Sequence, residues 1–312
     1  MKIPIRSKRL LLRPARIGDA ATLAAPRSQP EDDAWRMLVI TDPARNVTYG
    51  DVALRLSWSG RTAEIGYALA REHWGHGYAT EAVQAVVKAL FDELPITRIE
   101  AKVHPDNIAS AAVIERTGFI FEGQTRLSSW VGDHNTDDCI YAITRPDWEM
   151  WRDRTVEPPV DVKLVEITTD NERTICRLRT HKSQERMVAP MMASFTDALF
   201  PEVVDGYPVA PWFRAVEADG EFVGFVMVAE TTEHHSEPYL WRLLIDRLHQ
   251  RRGIGRRTLD LVIEHCRDRG DSSLLTSWVD GKGSPRGFYE SYGFRVTGEI
   301  IDDETEARIF FG

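Results

Sequence analysis

Two short runs of this chain combine glycines with arginine or histidine at a spacing suited to holding a phosphate. One is Gln250-Arg251-Arg252-Gly253-Ile254-Gly255 and the other is Trp74-Gly75-His76-Gly77-Tyr78-Ala79-Thr80. Glycine lets the backbone bend tightly with no Cβ in the way of a ligand. A helix that starts there leaves N–H groups without partners at the positive end of its dipole. The amides of Arg251 to Arg256 are therefore expected to surround a pyrophosphate, and Arg251, Arg252, Arg256 and Arg257 add positive charge. A lone Gly-x-Gly is a weak signal. Here it is duplicated in one context. A strand-like run precedes each turn (Ala63 to Leu69, Tyr239 to Asp246) and a helix-like run follows (Ala79 to Leu90, Arg256 to Arg267). A β-rich run, a brief helix and a Gly-Phe pair come next, Gly118-Phe119 in one copy and Gly293-Phe294 in the other. Two nucleotide-type cofactor sites are expected.

The elements that must position these turns read as one α+β plan used twice: antiparallel hairpins at both ends and one strand–helix–strand crossover between them. The clearest boundary is the stretch Arg152-Asp153-Arg154-Thr155-Val156-Glu157-Pro158-Pro159-Val160. Two prolines remove two backbone donors and restrict the residue ahead of them, so neither a helix nor a central strand continues through. The expected organisation is a first domain over residues 1–152, a linker over 153–160 and a second domain over 161–312. In the second half, helices are expected at Glu172 to Arg179 and Met191 to Phe200, and Asp219-Gly220 closes a hairpin. The first half keeps the order but shortens its start. It has a strand at Leu10 to Arg13, a short helix at Asp19 to Ala25, room for another helical turn or two between Gln29 and Thr41, and a strand from Val52.

Length and composition fit that division. At 312 residues about two ordinary domains are expected. The chain is 43% hydrophobic and 28% charged, enough to bury a core. Its net charge of −9 is uneven: residues 1–160 carry 20 Lys and Arg against 22 Asp and Glu, and residues 161–312 carry 19 against 26. An acidic chain is a poor non-specific nucleic-acid binder, and the second half suits a cationic small molecule or peptide amine. No apolar stretch approaches the roughly 18 residues that cross a bilayer, and Met1 to Arg6 opens no signal region. The expectation is a cytoplasmic protein with neither nucleic-acid nor membrane partners. The three cysteines, Cys139, Cys176 and Cys266, lie too far apart to suggest a zinc knuckle or disulfide framework, and adjacent His234-His235 diverge on a strand, so no metal is expected.

With these words in view, both halves resemble the GNAT superfamily of acetyl-CoA-dependent N-acetyltransferases. Gln250-x-x-Gly253-x-Gly255 matches that family's Q/R-x-x-G-x-G/A motif, and Phe288-Tyr289-Glu290-Ser291-Tyr292-Gly293-Phe294 resembles its later helix and strand start. The first half is similar to the ribosomal-protein alanine/serine branch through Ile65-Gly66-Tyr67, Trp74 to Ala82, Asn107-Ile108-Ala109-Ser110 and Arg145-Pro146-Asp147-Trp148. The second is distantly similar to the diamine and polyamine branch. The resemblance implies two tandem folds of this family and acetyl-CoA as co-substrate. The pantetheine arm is expected against the main chain near Leu243 and Ile245, and Trp74 to Thr80 with Asn107 form the corresponding seat in the first half. It also implies Tyr289 as the general acid, since a phenol with a reference pKa of about 10 is protonated at neutral pH.

The halves diverge. The first has Ile114 where the tyrosine is expected, with Ser110 as the substitute its branch implies, and matching the glycine letters puts Glu72 opposite Gln250. The second keeps Tyr289 but has Lys282 where the first has Asn107. No general base stands out. The strand Leu240-Trp241-Arg242-Leu243 carries no acid, while Glu230, Glu233, Glu237 and His234-His235 read as a solvated loop. Trp212, Phe213 and Trp241 read as core rather than as an amine pocket. The expected function is acetyl transfer from acetyl-CoA to a primary amine of a polyamine-like or other cationic small molecule, carried by the second domain. The first domain would do little or no turnover. Alternatives are an aminoglycoside, a mycothiol precursor or a peptide N-terminus as acceptor, or a non-catalytic acetyl-CoA-binding module. The oligomeric state is left open.

Overall fold

A computed structural model describes residues 1–19, 35–45, 47–281 and 283–311. They form two compact units, Met1–Asp153 and Arg154–Gly312.

The first unit runs β1 (Ile5–Arg6), β2 (Leu11–Pro14), β3 (Arg36–Thr41), β4 (Thr48–Leu56), β5 (Thr62–Leu69), α1 (Tyr78–Glu93), β6 (Arg98–Val103), α2 (Ile108–Glu115), β7 (Ile120–Val131), β8 (His134–Thr144) and α3 (Arg145–Asp153). Its strands form one sheet in the order β1-β2-β3-β4-β5-β6-β8-β7. All neighbours are antiparallel except β5 and β6, which the crossover helix α1 makes parallel. Helix α1 forms because Ala82, Val83, Val86, Val87 and Leu90 recur at helical spacing and all are buried in the unit's core. One sequence expectation changes here. Arg36 to Thr41 is a strand, not part of a helix: Leu38, Val39, Ile40 and Thr41 are all buried between β2 and β4. Of the short helix expected over Asp19 to Ala25, only Asp19 falls among the described residues, where it ends the 3₁₀ turn Ile17–Asp19. That turn is fixed by Asp19, whose buried carboxylate accepts from both Arg13 guanidinium nitrogens at 2.7 and 2.9 Å and from the Arg16 N–H. The Arg13 bond holds the carboxyl far below the usual carboxylate range.

The second unit runs β9 (Val162–Val165), α4 (Glu172–Ile175), α5 (Met191–Leu199), β10 (Val203–Val204), β11 (Tyr207–Pro208), β12 (Ala210–Ala218), β13 (Glu221–Glu230), β14 (Tyr239–Ile245), α6 (Ile254–Asp268), β15 (Ser273–Trp278), α7 (Arg286–Tyr292), β16 (Arg295–Ile301) and β17 (Glu304–Phe310). The main sheet is ordered β16-β17-β15-β14-β13-β12-β9, and β14–β15 is its parallel pair. Alternation along the strands buries both faces. Val216, Val226 and Val228 pack with α6 and α7, whereas Ala215, Phe225 and Met227 pack with α4 and α5. Helix α4 is one turn, shorter than expected. The Asp219-Gly220 turn is as read: both residues take positive φ, 51° and 87°, which suits a two-residue hairpin.

The two sheets share one local signature. Gly50 on β4 pairs with Leu69, and Gly224 on β13 pairs with Ile245. A Cβ at Gly50 would collide with the Ala68 carbonyl, and one at Gly224 would collide with the Leu244 carbonyl. The strand that leads to each glycine turn therefore lies close against its antiparallel neighbour.

Candidate active site

In each unit a parallel strand pair opens. In the first, Thr62 to Ile65 pair with Arg98 to Ala101, and β5 then continues to Leu69 without β6 beside it. In the second only Tyr239 and Leu240 pair with Leu275 and Thr276, and β14 runs on to Ile245 alone on that side. A register shift in the β13–β14 pairing, between Met227 and Val228, leaves Trp241 as the extra residue just past the last pair. The predicted pantetheine residues Leu243 and Ile245 lie on this unpaired stretch, half-buried.

Beyond the open strand, each unit turns into a long helix through a left-handed residue at its N-cap: Gly77 (φ 77°) before α1 and Gly253 (φ 80°) before α6. Two residues earlier, Gly75 takes φ 79° and Arg251 takes φ 67°. Backbone conformation therefore equates Gly77 with Gly253, Gly75 with Arg251, Ala79 with Gly255 and Trp74 with Gln250. Two hydrogen bonds confirm that register. The Trp74 indole donates to the Leu69 carbonyl at 2.8 Å, and the Gln250 amide donates to the Ile245 carbonyl at 3.0 Å. Matching the glycine letters instead, which sets Glu72 opposite Gln250, is wrong by two residues. Glu72 plays no part in the comparison.

The turns are rich in backbone donors. The Glu81 N–H reaches the Gly77 carbonyl, and the Arg256 and Arg257 N–H groups both reach the Gly253 carbonyl. Among the described residues, the N–H groups of Gly75, His76, Gly77, Tyr78, Ala79 and Thr80 have no protein acceptor, nor do those of Arg251 to Gly255. The Arg256 amide, expected to join them, is spent on Gly253.

The arginine side chains behave differently from expectation. Arg252 is 5% exposed and turns inward, where its Nε donates to the Glu157 carbonyl at 2.8 Å and Nη1 lies 3.2 Å from His249. Arg257 donates to the carbonyls of Pro159 and Val160. Arg256 lies over the Tyr292 ring, 5.0 Å from its centre, and donates to the Ser291 carbonyl. Arg251 is exposed and, among the described residues, makes no ion pair or side-chain hydrogen bond. Ile254 is core, and a Cβ at Gly255 would meet Phe288 at 3.3 Å, so this glycine faces α7. In the first unit Tyr78 stacks on Tyr49 at 4.5 Å and carries Arg9 over its ring, and His76 stacks on Tyr78 at 5.5 Å.

Tyr289, on α7, is 8% exposed and stacks on Trp278 with ring centres 5.8 Å apart. Its hydroxyl is hydrogen-bonded with Thr276, the residue of the last β14–β15 pair, so the phenol sits where the strands part. Burial pushes it up to about 12, against the Thr276 bond, and it holds its proton throughout the physiological range. The equivalent Ile114 is fully buried. Near it, Asn107 caps α2 by accepting from the Ser110 N–H at 3.1 Å. The Ser110 hydroxyl lies 2.7 Å from the hydroxyl of Tyr67, which also donates to the Ser110 carbonyl at 2.9 Å. Lys282 lies outside the described residues.

The loop acids are engaged elsewhere. Glu230 pairs with His265 and Arg269, Glu233 with His234, and Glu237 with Arg308. Trp212 stacks on His265 at 3.9 Å, and Phe213 and Trp241 pack with the α4–α5 core.

Sequence reasoning missed Glu306. It pairs with Ser277 on β15, one residue past the last β14–β15 pair, on the face opposite α6 and α7. It is 7% exposed and has no ion pair or side-chain hydrogen bond among the described residues. Glu304, two residues away on that face, accepts from the Ser277 hydroxyl. Tyr239 faces both: burial raises its phenol pKa, Ser277 opposes the shift, and Glu304 and Glu306 add to it. The signal was the alternation Glu304-x-Glu306, which places two acids on one face of a strand.

Residues 27–120 match the model of an acetyltransferase (GNAT) domain, and residues 178–294 match that of the acetyltransferase (GNAT) family. The chain belongs to the GNAT acetyltransferases and carries two domains of that family in tandem. It is similar to YjcK of Bacillus subtilis (strain 168), 44% identical over 90 residues that make up 29% of this chain and 50% of that protein. It is similar to the ribosomal-protein-serine acetyltransferase of Escherichia coli (strain K12), 34% identical over 88 residues, 28% of this chain and 49% of that protein. The chain spans about half the length of these curated relatives. Among solved structures, a GNAT-family acetyltransferase from Bacillus anthracis aligns with 46% of this chain and 98% of its own, at 23% identity and a TM-score of 0.41. The family uses acetyl-CoA.

Proposed function

We propose that this chain is an N-acetyltransferase with an acetyl-CoA seat in each unit, and that the second unit acetylates the primary amine of a small cationic molecule. The observation that carries this reading is the repeated pairing of an opened strand with a turn whose amides have no protein acceptor. The gap beside Leu243 to Ile245 suits a pantetheine arm, and the amides of Arg251 to Gly255 suit its pyrophosphate, as do those of Gly75 to Thr80 in the first unit. Bound acetyl-CoA supplies an acetyl group activated as a thioester.

The rest falls to the chain's own residues. Tyr289, at the fork of the strands, holds a proton that it can give to a departing sulfur. Glu306 and Glu304 lie on the other face of the same fork, where a carboxylate attracts an ammonium and takes its proton, directly or through water. That pair favours a diamine or polyamine. An N-terminal peptide amine is the second reading, favoured by the E. coli relative, whose name states a ribosomal-protein substrate.

The test incubates the full chain and acetyl-CoA with putrescine, spermidine, an aminoglycoside and a serine-initiated peptide, and follows thioester cleavage and acetylated product. Transfer to a polyamine, with a KM raised about tenfold in Glu306→Gln, supports the reading. Transfer to the peptide alone replaces the acceptor. No transfer to any amine reduces the chain to a binding module.

A further inference from the structure

We infer that the second unit selects an acceptor that carries a carboxylate as well as its amines, a diamino acid, and that Arg242 is the residue that recognises the carboxylate. The inference rests on the acetyl-transfer reading above and narrows its acceptor from a diamine to a diamine bearing one acid group.

Arg242 stands on one prong of the fork. Leu240 is the last residue of β14 beside β15, so Arg242 lies two residues into the unpaired stretch. It pairs with Met227 across β13, and Met227 packs on the α4–α5 side of the sheet. Paired residues of neighbouring strands point to the same face, so Arg242 shares the face of Glu304 and Glu306. Those two acids back the other prong, on β17 behind Ser277. Tyr239 sits at the base of the fork on that face. Burial is the main influence on its phenol, but it also senses all three charges, with Arg242 opposing the two acids. The opening is thus bounded by carboxylates on one side and by a guanidinium on the other.

The guanidinium is held but not used up. The Arg242 side chain is 20% exposed; its Nη2 donates to Asp197 of α5 at 2.8 Å and its Nη1 to the Trp241 carbonyl at 2.8 Å. A guanidinium has five N–H donors in a planar fork, suited to two parallel bonds with one carboxylate. Asp197 takes a single bond, and the enclosed Nε has no acceptor among the described residues. A buried donor without an acceptor is uncommon and calls for a partner. An arginine placed only to tie α5 to β14 would be matched by Asp197 along a whole edge.

Charge decides the kind of partner. A diamine gains from Glu304 and Glu306 but brings nothing for Arg242, whose positive charge repels it. Adding one carboxylate to the same molecule turns that repulsion into a charge-assisted pair, while its two ammonium groups keep the two acids. An amino acid with one amine leaves one of the acids unmatched. The diamino acid answers all three groups, with Asp197 and the acceptor holding the guanidinium from different sides. Arg242 touches the acceptor away from the reacting atoms and sets specificity.

The experiment uses the full chain with acetyl-CoA and two matched pairs of amines, putrescine with ornithine and cadaverine with lysine. Within each pair the molecules differ by one carboxylate. The amino acid should be used with a kcat/KM about tenfold or more above its partner. Arg242→Met keeps the aliphatic stem and removes the charge. It should raise the KM for ornithine about tenfold or more and bring the ratio within each pair to about one, and Arg242→Lys should restore part of the preference. The ratio is the decisive readout, since a loss of folded protein or of the tie to α5 lowers both amines alike. Calorimetry on the chain loaded with coenzyme A makes the same comparison without turnover. Amino acids used and bound no better than the diamines overturn the inference, as does a ratio unchanged in Arg242→Met. Carboxylate-selective binding that needs Arg242, without transfer to any amine, supports the inference and removes the acetyl-transfer reading instead.

Discussion

The two glycine turns have one backbone and almost no side chains in common. Where the first places Gly75, the second forces Arg251 into the left-handed region, a strain of about 1 to 2 kcal/mol for a residue with a Cβ. Where the first ties its turn to the strand end with an indole, the second uses a carboxamide. Ala79 stands for Gly255. What is preserved is a row of unspent N–H groups at the head of a helix, which belongs to the main chain and tolerates drift in the letters. The hydroxyls beside each opened strand differ in the same way: Tyr289 stands on α7 in the second unit, whereas Tyr67 and Ser110 meet across β5 and α2 in the first.

The comparison breaks most sharply at Tyr289. Tyr289→Phe should lower kcat for acetylation of the small amine roughly a hundredfold while calorimetry shows unchanged acetyl-CoA affinity. A full rate would hand that transfer to the first unit or to water. The same phenol sets the pH response. Because burial raises its pKa to about 12, it stays protonated across the assay range. The acceptor, by contrast, must lose a proton before it attacks. The rate should therefore climb about tenfold per pH unit below the amine's own pKa and level off, with no alkaline fall near the ordinary phenol value of about 10. A bell centred below that value would mean that a more acidic donor is at work.

The turns offer a matched test. Gly77→Val and Gly253→Val each put a β-branched residue at a left-handed N-cap, so each should weaken one of two acetyl-CoA sites tenfold or more, about 1.4 kcal/mol. Native mass spectrometry should count two bound molecules in the wild type and one in either variant. Two in both would show that the amides are not the seat. The smallest effect concerns the tie to the strand end. Trp74→Phe removes one hydrogen bond and Gln250→Leu two, the second to Gln184, so they should cost about 1 and about 2 kcal/mol of stability in thermal unfolding, with little change in kcat.

Much of this was legible in the sequence. The long helices α1 and α6 announce themselves by apolar spacing, and β14 by its length and apolar run between a proline and a charged turn. Tyr289 is singled out only by the family resemblance, from its place four residues before Gly293. Four things were hidden, each for a physical reason. The true register of the turns was lost because Arg251 adopts a conformation that its side chain disfavours, and no reading by letters expects it there. Strand β3 was lost because Met37 to Thr41 is a short apolar run, which fits a buried helix or a strand equally well until its neighbours are known. Glu306 is hidden because a carboxylate one residue before the run Ala307-Arg308-Ile309-Phe310 reads as surface. The Tyr67–Ser110 contact joins residues 43 apart in the chain, and no local pattern encodes it.

The grip of Arg252 and Arg257 on Glu157, Pro159 and Val160 bears on how the second unit can be handled alone. Val160 and Asp161 in turn donate their N–H groups to the Asp219 carboxylate. The Pro-Pro stretch looks dispensable in the sequence, yet it serves as a strap over the same turn whose amides face outward. A fragment begun at residue 161 would strip the Glu157 carbonyl from the Arg252 guanidinium, which is 95% buried, and leave its Nε without that acceptor beside the glycine turn. Such a fragment could lose acetyl-CoA for reasons unrelated to catalysis. One begun at Arg154 keeps the strap, and a protease that cuts just after Asp153 would yield the second unit with its turn intact.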